Sequence, residues 1–222
     1  MKAHYLLILI LLAVSCKEKK IRPSRSAMAQ PTPFKREIPS FGDGKPDLFY
    51  LVDKEKQMQL GLDNLERGFD SLEIRIWYDF SFIDDRRLVV IRNKHHVWKA
   101  IVYNMHVDWD GQKETILSKS VQEITPASGW NHFSSQLMEL KILDLPNCDK
   151  ISGYEFGFDG VTFNVEFATW DQYRYYGYWE PRGNQDKFWQ AKNMCDILDL
   201  LEEELGVSQH FGTRTKLSKS KK

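Results

Sequence analysis

The chain has 222 residues, of which 42% are hydrophobic and 13% aromatic, and its formal net charge is zero. This apolar content is sufficient for a packed core, so the composition excludes a chain that is disordered throughout. The charges are nevertheless unevenly distributed along the chain. Residues 37–211 carry eighteen basic and thirty acidic groups, a net charge of −12, whereas both ends of the chain are basic. An acidic body repels phosphate backbones, which argues against nucleic acid as a partner of the folded part.

The first fifteen residues have the pattern of a secretory signal peptide. A short basic start precedes a run of large aliphatic residues, Leu6–Leu12, and smaller residues follow up to Ser15. A membrane-spanning helix needs about 20 apolar residues, and this run is roughly half as long before charged residues follow. We therefore predict a cleaved signal peptide over residues 1–15 and no permanent transmembrane anchor.

The segment Leu12–Cys16, of sequence LAVSC, resembles the lipobox of bacterial lipoproteins. The resemblance implies cleavage before Cys16 and attachment of lipid to the sulfur and the new amino group of that cysteine. Each buried methylene contributes about 0.8 kcal/mol, so two or more acyl chains hold a protein stably on a bilayer. Lys17, where an Asp would resemble an inner-membrane retention signal, favours the outer membrane. An ordinary secretory signal with an incidental cysteine stays the alternative.

Residues 16–46 are predicted to form a flexible, lipidated tether. They are rich in Lys, Arg, Ser, Pro and Gly and show no hydrophobic periodicity. A single domain is expected over residues 47–211, followed by a basic disordered tail over residues 212–222. Within the domain, Cys195 has the spacing of a buried helical residue, and a disulfide between Cys148 and Cys195 stays open.

The first half of the predicted domain indicates an antiparallel meander. Residues 48–62 are ambiguous between a strand and a helix. Residues 72–78 alternate between apolar and polar side chains, as in a strand with one face in water. Residues 87–92 enclose an unbroken apolar run, which is typical of a strand covered on both faces, and residues 97–105 form a third strand. The pattern weakens over residues 108–122.

The second half predicts two helices and two further strands. Apolar residues at three- and four-residue steps predict a helix over Trp130–Leu140. Alternation predicts a strand over residues 161–168 and a partner over residues 173–179. A last helix starts after Asp186 and ends at Gly206. The sequence therefore predicts an α+β domain, in which an antiparallel sheet of five or six strands carries two helices packed on one face.

This order of elements resembles that of uncharacterised bacterial lipoproteins with a single α+β domain, and no activity follows from the resemblance. The sequence contains no glycine-rich phosphate loop and no Gly-x-Ser-x-Gly, Cys-x-x-Cys or His-Glu-x-x-His motif, which lowers the expectation of an enzyme. No cofactor is expected. His106, Asp108 and Asp110 alternate as metal ligands on a strand would, but we interpret them as a strand that runs out into a polar loop.

Aromatic residues are dense in the predicted strand over residues 173–179. Tyr and Trp beside an Arg are the residue types that dominate recognition surfaces. The candidate ligand-binding residues are Trp77, Arg174, Tyr176, Tyr178 and Trp179. If helices cover these side chains, the same aromatics belong to the core, and both interpretations stay open.

Glu166 lies on the polar side of the predicted strand over residues 161–168. A carboxyl group there is a candidate general acid or base of a hydrolase, with Asp159 or His106 as its partner. A cross-strand ion pair, with Arg174 opposite, gives the same pattern.

The sequence thus predicts a cell-envelope lipoprotein that acts as a binding or protein-interaction module, with a carboxylate-dependent envelope hydrolase as the alternative. Its expected partners are the membrane, through the lipid on Cys16, and another envelope or secreted protein. The acidic body favours a basic protein as that partner.

Overall fold

The structure is a computed structural model. It describes residues 33–40, 44–80, 83–111, 113–157 and 159–209. The predicted signal peptide, the lipidation site Cys16 and the basic tail lie outside the described residues. The described part belongs to one compact unit, which begins at Pro33.

Seven strands and four α-helices occur along the described residues. In chain order they are β1 (Lys35–Glu37), α1 (Leu48–Leu60), β2 (Leu72–Phe80), β3 (Asp85–Lys94), β4 (Val97–Trp109), β5 (Glu114–Ile124), α2 (Trp130–Glu139), β6 (Val161–Ala168), β7 (Gln172–Trp179), α3 (Pro181–Asn184) and α4 (Trp189–Leu205). Short 3₁₀ turns lie at Leu65–Arg67 and Cys148–Lys150.

One sheet contains all of these strands, in the order β1-β7-β6-β2-β3-β4-β5. The neighbours are antiparallel except β1 and β7, which are parallel. The α+β class is therefore confirmed. In detail the sheet differs from the prediction, because it is mixed and has seven strands.

The folded body begins earlier in the chain than the sequence indicated. Lys35–Glu37 pairs with the start of β7, and Ser40 forms a bridge with Pro46. These residues belong to the body and not to the tether predicted over residues 16–46. A strand of three residues is too short to show the alternation by which strands are recognised.

The ambiguous segment at residues 48–62 is the helix α1. The Asp47 side chain accepts a hydrogen bond from the Phe49 backbone N–H at 2.7 Å, which caps the N-terminus. Gly61 ends the helix in a left-handed conformation, with φ of 70°. Several exposed apolar side chains, including Leu48 and Met58, interrupt the helical pattern and explain the ambiguity in the sequence.

The predicted meander is confirmed as β2, β3 and β4, and β5 extends it. β5 lies at the edge of the sheet and most of its residues are exposed. Its register with β4 shifts between His106 and Val107. An exposed edge strand with a register shift carries little hydrophobic alternation, which explains why the pattern weakens there.

Both faces of the sheet are covered, by different helices. On the first, which we call the apolar face, α2 and α4 pack on side chains that include Ile76, Val165 and Tyr176. The two predicted helices share this face, but the described chain has four α-helices and not two. The opposite face carries Glu73, Arg75, Trp77, Asp79 and Glu166; we call it the charged face.

The charged face of β2 is buried, so the prediction that it lies in water is wrong. Glu73, Arg75 and Trp77 have no exposed surface. The helix α1 covers much of this face, since its Lys56 bonds to Asp79 and its Leu60 packs in the same apolar cluster as Trp77. Alternation of polar residues identified the face correctly but not its burial.

Candidate functional site

The structure does not bring the five predicted ligand-binding residues together. Trp77 lies on the charged face, whereas Tyr176 and Tyr178 lie in the core of the apolar face. All three are at most 1% exposed. The alternative interpretation, that these aromatics belong to the core, is confirmed for them. Trp179, at the end of β7, is only partly buried.

Arg174 and Tyr176 attach the segment after α2 to the sheet. The Arg174 guanidinium donates to the carbonyl oxygens of Leu143 and Leu145 and to the Glu37 carboxylate. The Tyr176 hydroxyl donates to the carbonyl oxygen of Ile142. These side chains satisfy buried backbone acceptors, which is a structural role.

Glu166 is buried in an ion pair. Its Oε1 lies 2.8 Å from Arg75 Nη1, and its Oε2 accepts a hydrogen bond from the Tyr173 hydroxyl at 3.3 Å. A cross-strand ion pair is therefore confirmed, but the partner is Arg75 of β2 and not Arg174. The pair is also buried, so the prediction that it lies on a face in water is wrong.

The proposed partners of Glu166 in a hydrolase are not assembled around it. His106 lies on β4, three strands away from β6 in the sheet, and its Nδ1 is 3.1 Å from the exposed Asp85. Asp159 is exposed before the start of β6. Within the described residues, no group of three or more His, Cys, Asp or Glu side chains is placed to hold a metal ion.

Between α1 and the strands β2 and β5, the charged face holds a second cluster of buried charges. Lys56 Nζ lies 2.9 Å from Asp53, 2.5 Å from Asp79 and 3.4 Å from Glu114. Burial acts to lower the pKa of Lys56, but the three carboxylates outweigh it, so the pKa lies above its ordinary value. Burial and the charge of Asp79 raise the pKa of Asp53 well above its usual range.

A cavity of about 280 Å³ opens on this face, between the first turn of α1 and the ends of β6 and β7. Four aromatic side chains line it: Phe49, Phe156, Tyr175 and Trp179. Two of its lining residues are bonded to the buried cluster behind. Tyr175 donates its hydroxyl hydrogen bond to Asp53, and Asn164 Nδ2 donates to Asp79 at 3.0 Å. The inner wall of the cavity is therefore fixed by hydrogen bonds.

Two glycines allow side chains to lie directly against the backbone at this cavity. A Cβ atom on Gly157 would lie 2.5 Å from the Trp179 ring, and one on Gly177 would lie 2.4 Å from Asn164 Oδ1. Real Cβ atoms do not approach other atoms so closely, so an alanine at either position would displace Trp179 or Asn164. The two glycines therefore allow the side chains of Trp179 and Asn164 to take the positions in which they line the cavity.

Polar groups with no hydrogen bond to any described residue face the cavity. Asn147 Oδ1 accepts from the Gly177 N–H at 2.7 Å, which leaves Asn147 Nδ2 as a free donor. Asn164 Oδ1 and the Thr162 hydroxyl are likewise without a partner in the described part of the chain. The exposed fractions of Asn147, Asn164 and Thr162 are only 8%, 1% and 6%. All three residues line the cavity, so a ligand that enters it can form hydrogen bonds with them.

Cys148 also lines the cavity. Burial raises the pKa of its thiol to about 11, so the thiol is protonated at neutral pH and is a poor nucleophile. Cys148 and Cys195 are both buried free thiols. The interpretation of Cys195 as a small buried apolar residue is confirmed, and the two cysteines are not bridged.

Only a few residues of this site could be recognised from the sequence. Trp179 is the single predicted ligand-binding residue that lines the cavity. Asn164 could be recognised in the sequence as a polar residue in the middle of the predicted strand over residues 161–168. Asn147 and Gly157 lie in irregular segments, where no periodicity exists to relate them to the strands.

Comparison of the chain with protein-family models, with curated proteins and with solved structures finds no match. No helix in the described ranges is both long and apolar enough to cross a membrane.

Proposed function

We propose that the chain is a cell-envelope lipoprotein whose body is a binding domain, and that the cavity between α1 and the β6–β7 ends is its ligand site. The observation that carries this proposal is the set of unpaired polar groups, on side chains more than nine-tenths buried, that faces an aromatic-lined cavity. Small-molecule sites are mostly apolar, with a few polar groups that orient the ligand, and they occupy roughly 300–1,000 Å³. A cavity of about 280 Å³ lies just below the lower end of that range.

Binding fits this geometry better than hydrolysis does. Glu166, the candidate acid or base, does not line the cavity, and its carboxylate is engaged by Arg75. Cys148, the one thiol in the cavity, has a raised pKa. The other groups that line the cavity are amides, hydroxyls, aromatic rings and the carboxylates of Asp47 and Asp149. Asp47 is engaged as the cap of α1, and amides, hydroxyls and rings recognise a ligand without supplying a nucleophile.

Titration with a small neutral probe tests the ligand site. The chain has seven tryptophans, so labelling with 5-fluorotryptophan gives a separate fluorine resonance for each. We expect 2-phenylethanol to cause a saturable shift of the Trp179 resonance. Trp77, which is fully buried on the charged face, and Trp170, which is 66% exposed, are internal controls that stay unchanged.

A matched variant of the cavity wall strengthens this test. Thr162→Val keeps the shape of the side chain and removes one unpaired hydroxyl, so it weakens binding of 2-phenylethanol by about 3- to 10-fold if that hydroxyl contacts the probe. The proposal is contradicted if Trp179 shows no saturable shift with 2-phenylethanol or with its charged analogues, or if Trp170 shifts in parallel.

The anchor is tested by substitution of the predicted lipidation site. Cys16→Ser should abolish incorporation of labelled palmitate and release the protein from the membrane fraction, because the acyl chains provide most of the membrane affinity. Cys195→Ser removes a buried thiol elsewhere and should leave both properties unchanged. Full labelling of the Cys16→Ser protein would refute the lipoprotein assignment.

A further inference from the structure

The charges at the cavity have one sign. Its lining residues include two carboxylates, Asp47 and Asp149, and no Lys, Arg or His. Lys150, the basic residue next to Asp149, is engaged with Glu37 at 2.7 Å. Neither Asp47 nor Asp149 forms an ion pair with a cation in the described part of the chain.

The two carboxylates lie close enough to act on each other. Burial, with the negative charge of Asp149 adding to it, raises the pKa of Asp47 although Asp47 accepts backbone hydrogen bonds. Like charges that face one cavity without a counterion are stabilised by any cation that enters it. Because Asp47 caps the N-terminus of α1, a carboxylate and not an open helix end is presented to the ligand.

The aromatic residues at the cavity suit a cation as well. Phe49 and Phe156 are 42% and 57% exposed, so two large apolar rings stand partly in solvent beside the carboxylates. The faces of aromatic rings carry negative potential and attract ammonium groups, most strongly where water is partly excluded. Tyr175 and Trp179, deeper in the cavity, offer apolar surface for the uncharged part of a ligand.

We infer that the ligand is an organic cation, namely a protonated amine attached to an aromatic or other apolar group. This inference rests on the proposed function, in which the cavity is the ligand site. The ammonium group is held by Asp47 and Asp149 and by the adjacent ring faces. Asn164 Oδ1, which has no other partner in the described residues, is an additional acceptor for an ammonium N–H. The apolar group lies against Tyr175 and Trp179.

Three probes of nearly the same shape and different charge separate this inference from the proposed function. They are 2-phenylethylamine, 2-phenylethanol and 3-phenylpropionate, each titrated into the full chain while the fluorine resonance of Trp179 is followed. We expect the amine to bind at least ten-fold more tightly than the alcohol, and the carboxylate more weakly than either. Ten-fold is the size expected for one cation that interacts with a partly buried carboxylate, Asp47, an exposed one, Asp149, and aromatic rings.

Charge-removing variants locate the source of the preference. Asp47→Asn keeps the helix cap, because Asn caps as well as Asp, and it is combined with Asp149→Asn. This pair should reduce the preference for the amine over the alcohol to about two-fold or less, chiefly by weakening the binding of the amine. The control pair Asp186→Asn with Glu203→Gln removes two exposed charges that do not line the cavity, and it should keep the full preference.

The outcomes are distinct. Equal binding of amine and alcohol at Trp179 would overturn the cation inference and leave the cavity as a ligand site. A preference for the amine that survives the Asp47 and Asp149 substitutions would also overturn it, because the acidic body as a whole would then be the cause. Absence of any saturable Trp179 shift with all three probes would overturn the proposed function itself.

Discussion

The two faces of the sheet both bury their central side chains, but by different means. The apolar face packs Ile76, Val165 and Tyr176 against α2 and α4. The charged face buries Arg75 between Glu73 and Glu166. Apolar burial stabilises each residue almost independently, at about 25 cal/mol per Å². The contribution of a buried charge to stability depends on its partners. The attraction within an ion pair roughly offsets the free energy lost by removing both charges from water, whereas a lone buried charge has nothing to offset that loss.

The difference bears on function because the candidate ligand site lies on the charged face. Tyr175 and Asn164 line the cavity and are bonded to Asp53 and Asp79 behind it. A polar layer of this kind fixes side-chain orientations that an apolar layer leaves less restricted. The charged face therefore provides directed groups for recognition, whereas the apolar face provides most of the hydrophobic stabilisation.

The largest effect is expected from removing a buried cation. Arg75→Met removes the guanidinium that lies between Glu73 and Glu166, and leaves Glu73 with Arg92 and Glu166 with the more distant Lys54, at 3.7 Å. We expect the free energy of unfolding to fall by about 3–5 kcal/mol. Urea denaturation measures this change in the free energy of unfolding. Addition of Glu73→Gln and Glu166→Gln should restore most of the loss. An exposed control, Lys99→Met, breaks the Lys99–Glu123 pair and should change stability by less than about 1 kcal/mol. A loss below that value for Arg75→Met would contradict the described network.

A truncation on the apolar face should act without any dependence on charge. Leu137 of α2 is fully buried, and Leu137→Ala should lower the free energy of unfolding by about 2–5 kcal/mol, by the lost transfer energy and the cavity that remains. The loss should be the same at low and high salt and between about pH 5 and pH 8. If the stability loss of Leu137→Ala varied with pH as strongly as that of a charged-face substitution such as Asp53→Asn, the distinction between the two faces would not hold.

A pH dependence should be specific to the charged face. Because the pKa of Asp53 is raised in the folded state, the folded state binds this proton more tightly than the unfolded state. Asp53 therefore supports stability below about pH 4, and the wild type loses that contribution as pH rises through the raised pKa. Asp53→Asn lacks this titration.

Unfolding measured from about pH 4 to pH 7 tests this assignment. The stability of Asp53→Asn relative to the wild type should increase with pH, at up to about 1.4 kcal/mol per pH unit. Asp186→Asn, an exposed control, should show a flat difference. A relative stability that falls with rising pH would mean that the pKa of Asp53 is lowered, contrary to the described environment.

The smallest effects compare two hydroxyl groups, one on each face. The Tyr178 hydroxyl on the apolar face is buried without a hydrogen-bond partner in the described residues, whereas the Tyr175 hydroxyl bonds to Asp53. Tyr178→Phe should leave stability unchanged or raise it by up to about 1 kcal/mol, and Tyr175→Phe should lower it by about 1–3 kcal/mol. Thermal unfolding compares the two, and equal losses would show that Tyr178 has a partner after all.

Regular elements of the fold could be predicted because their residues repeat with a period. Residues 161–168 and 173–179 alternate, and the helices α2 and α4 have continuous apolar stripes, so each was located to within a few residues. β1 is too short to show a period, and β5 is exposed at the sheet edge. Which polar face is covered by another helix depends on contacts distant in sequence, so the burial of Arg75 was not predictable from alternation.

The candidate site was less predictable than the fold. Trp179 was among the predicted ligand-binding residues, because a high local density of aromatic residues can be recognised in a sequence. The unpaired groups of Asn147 and Asn164, seventeen residues apart, come together only because Asn147 bonds to the backbone of β7. The close approaches at Gly157 and Gly177 are equally invisible without the fold, since a glycine in a sequence does not indicate which side chain packs on it.

A crystal structure of the chain grown with 2-phenylethylamine tests the central claim most directly. The account predicts the phenyl ring against Trp179 and Tyr175, and the amine nitrogen within hydrogen-bond distance of Asp47 or Asp149. It also predicts an unchanged Arg75 network on the charged face. A cavity filled by the Trp179 side chain, or a probe bound only elsewhere on the surface, would contradict the claim that this cavity is the ligand site.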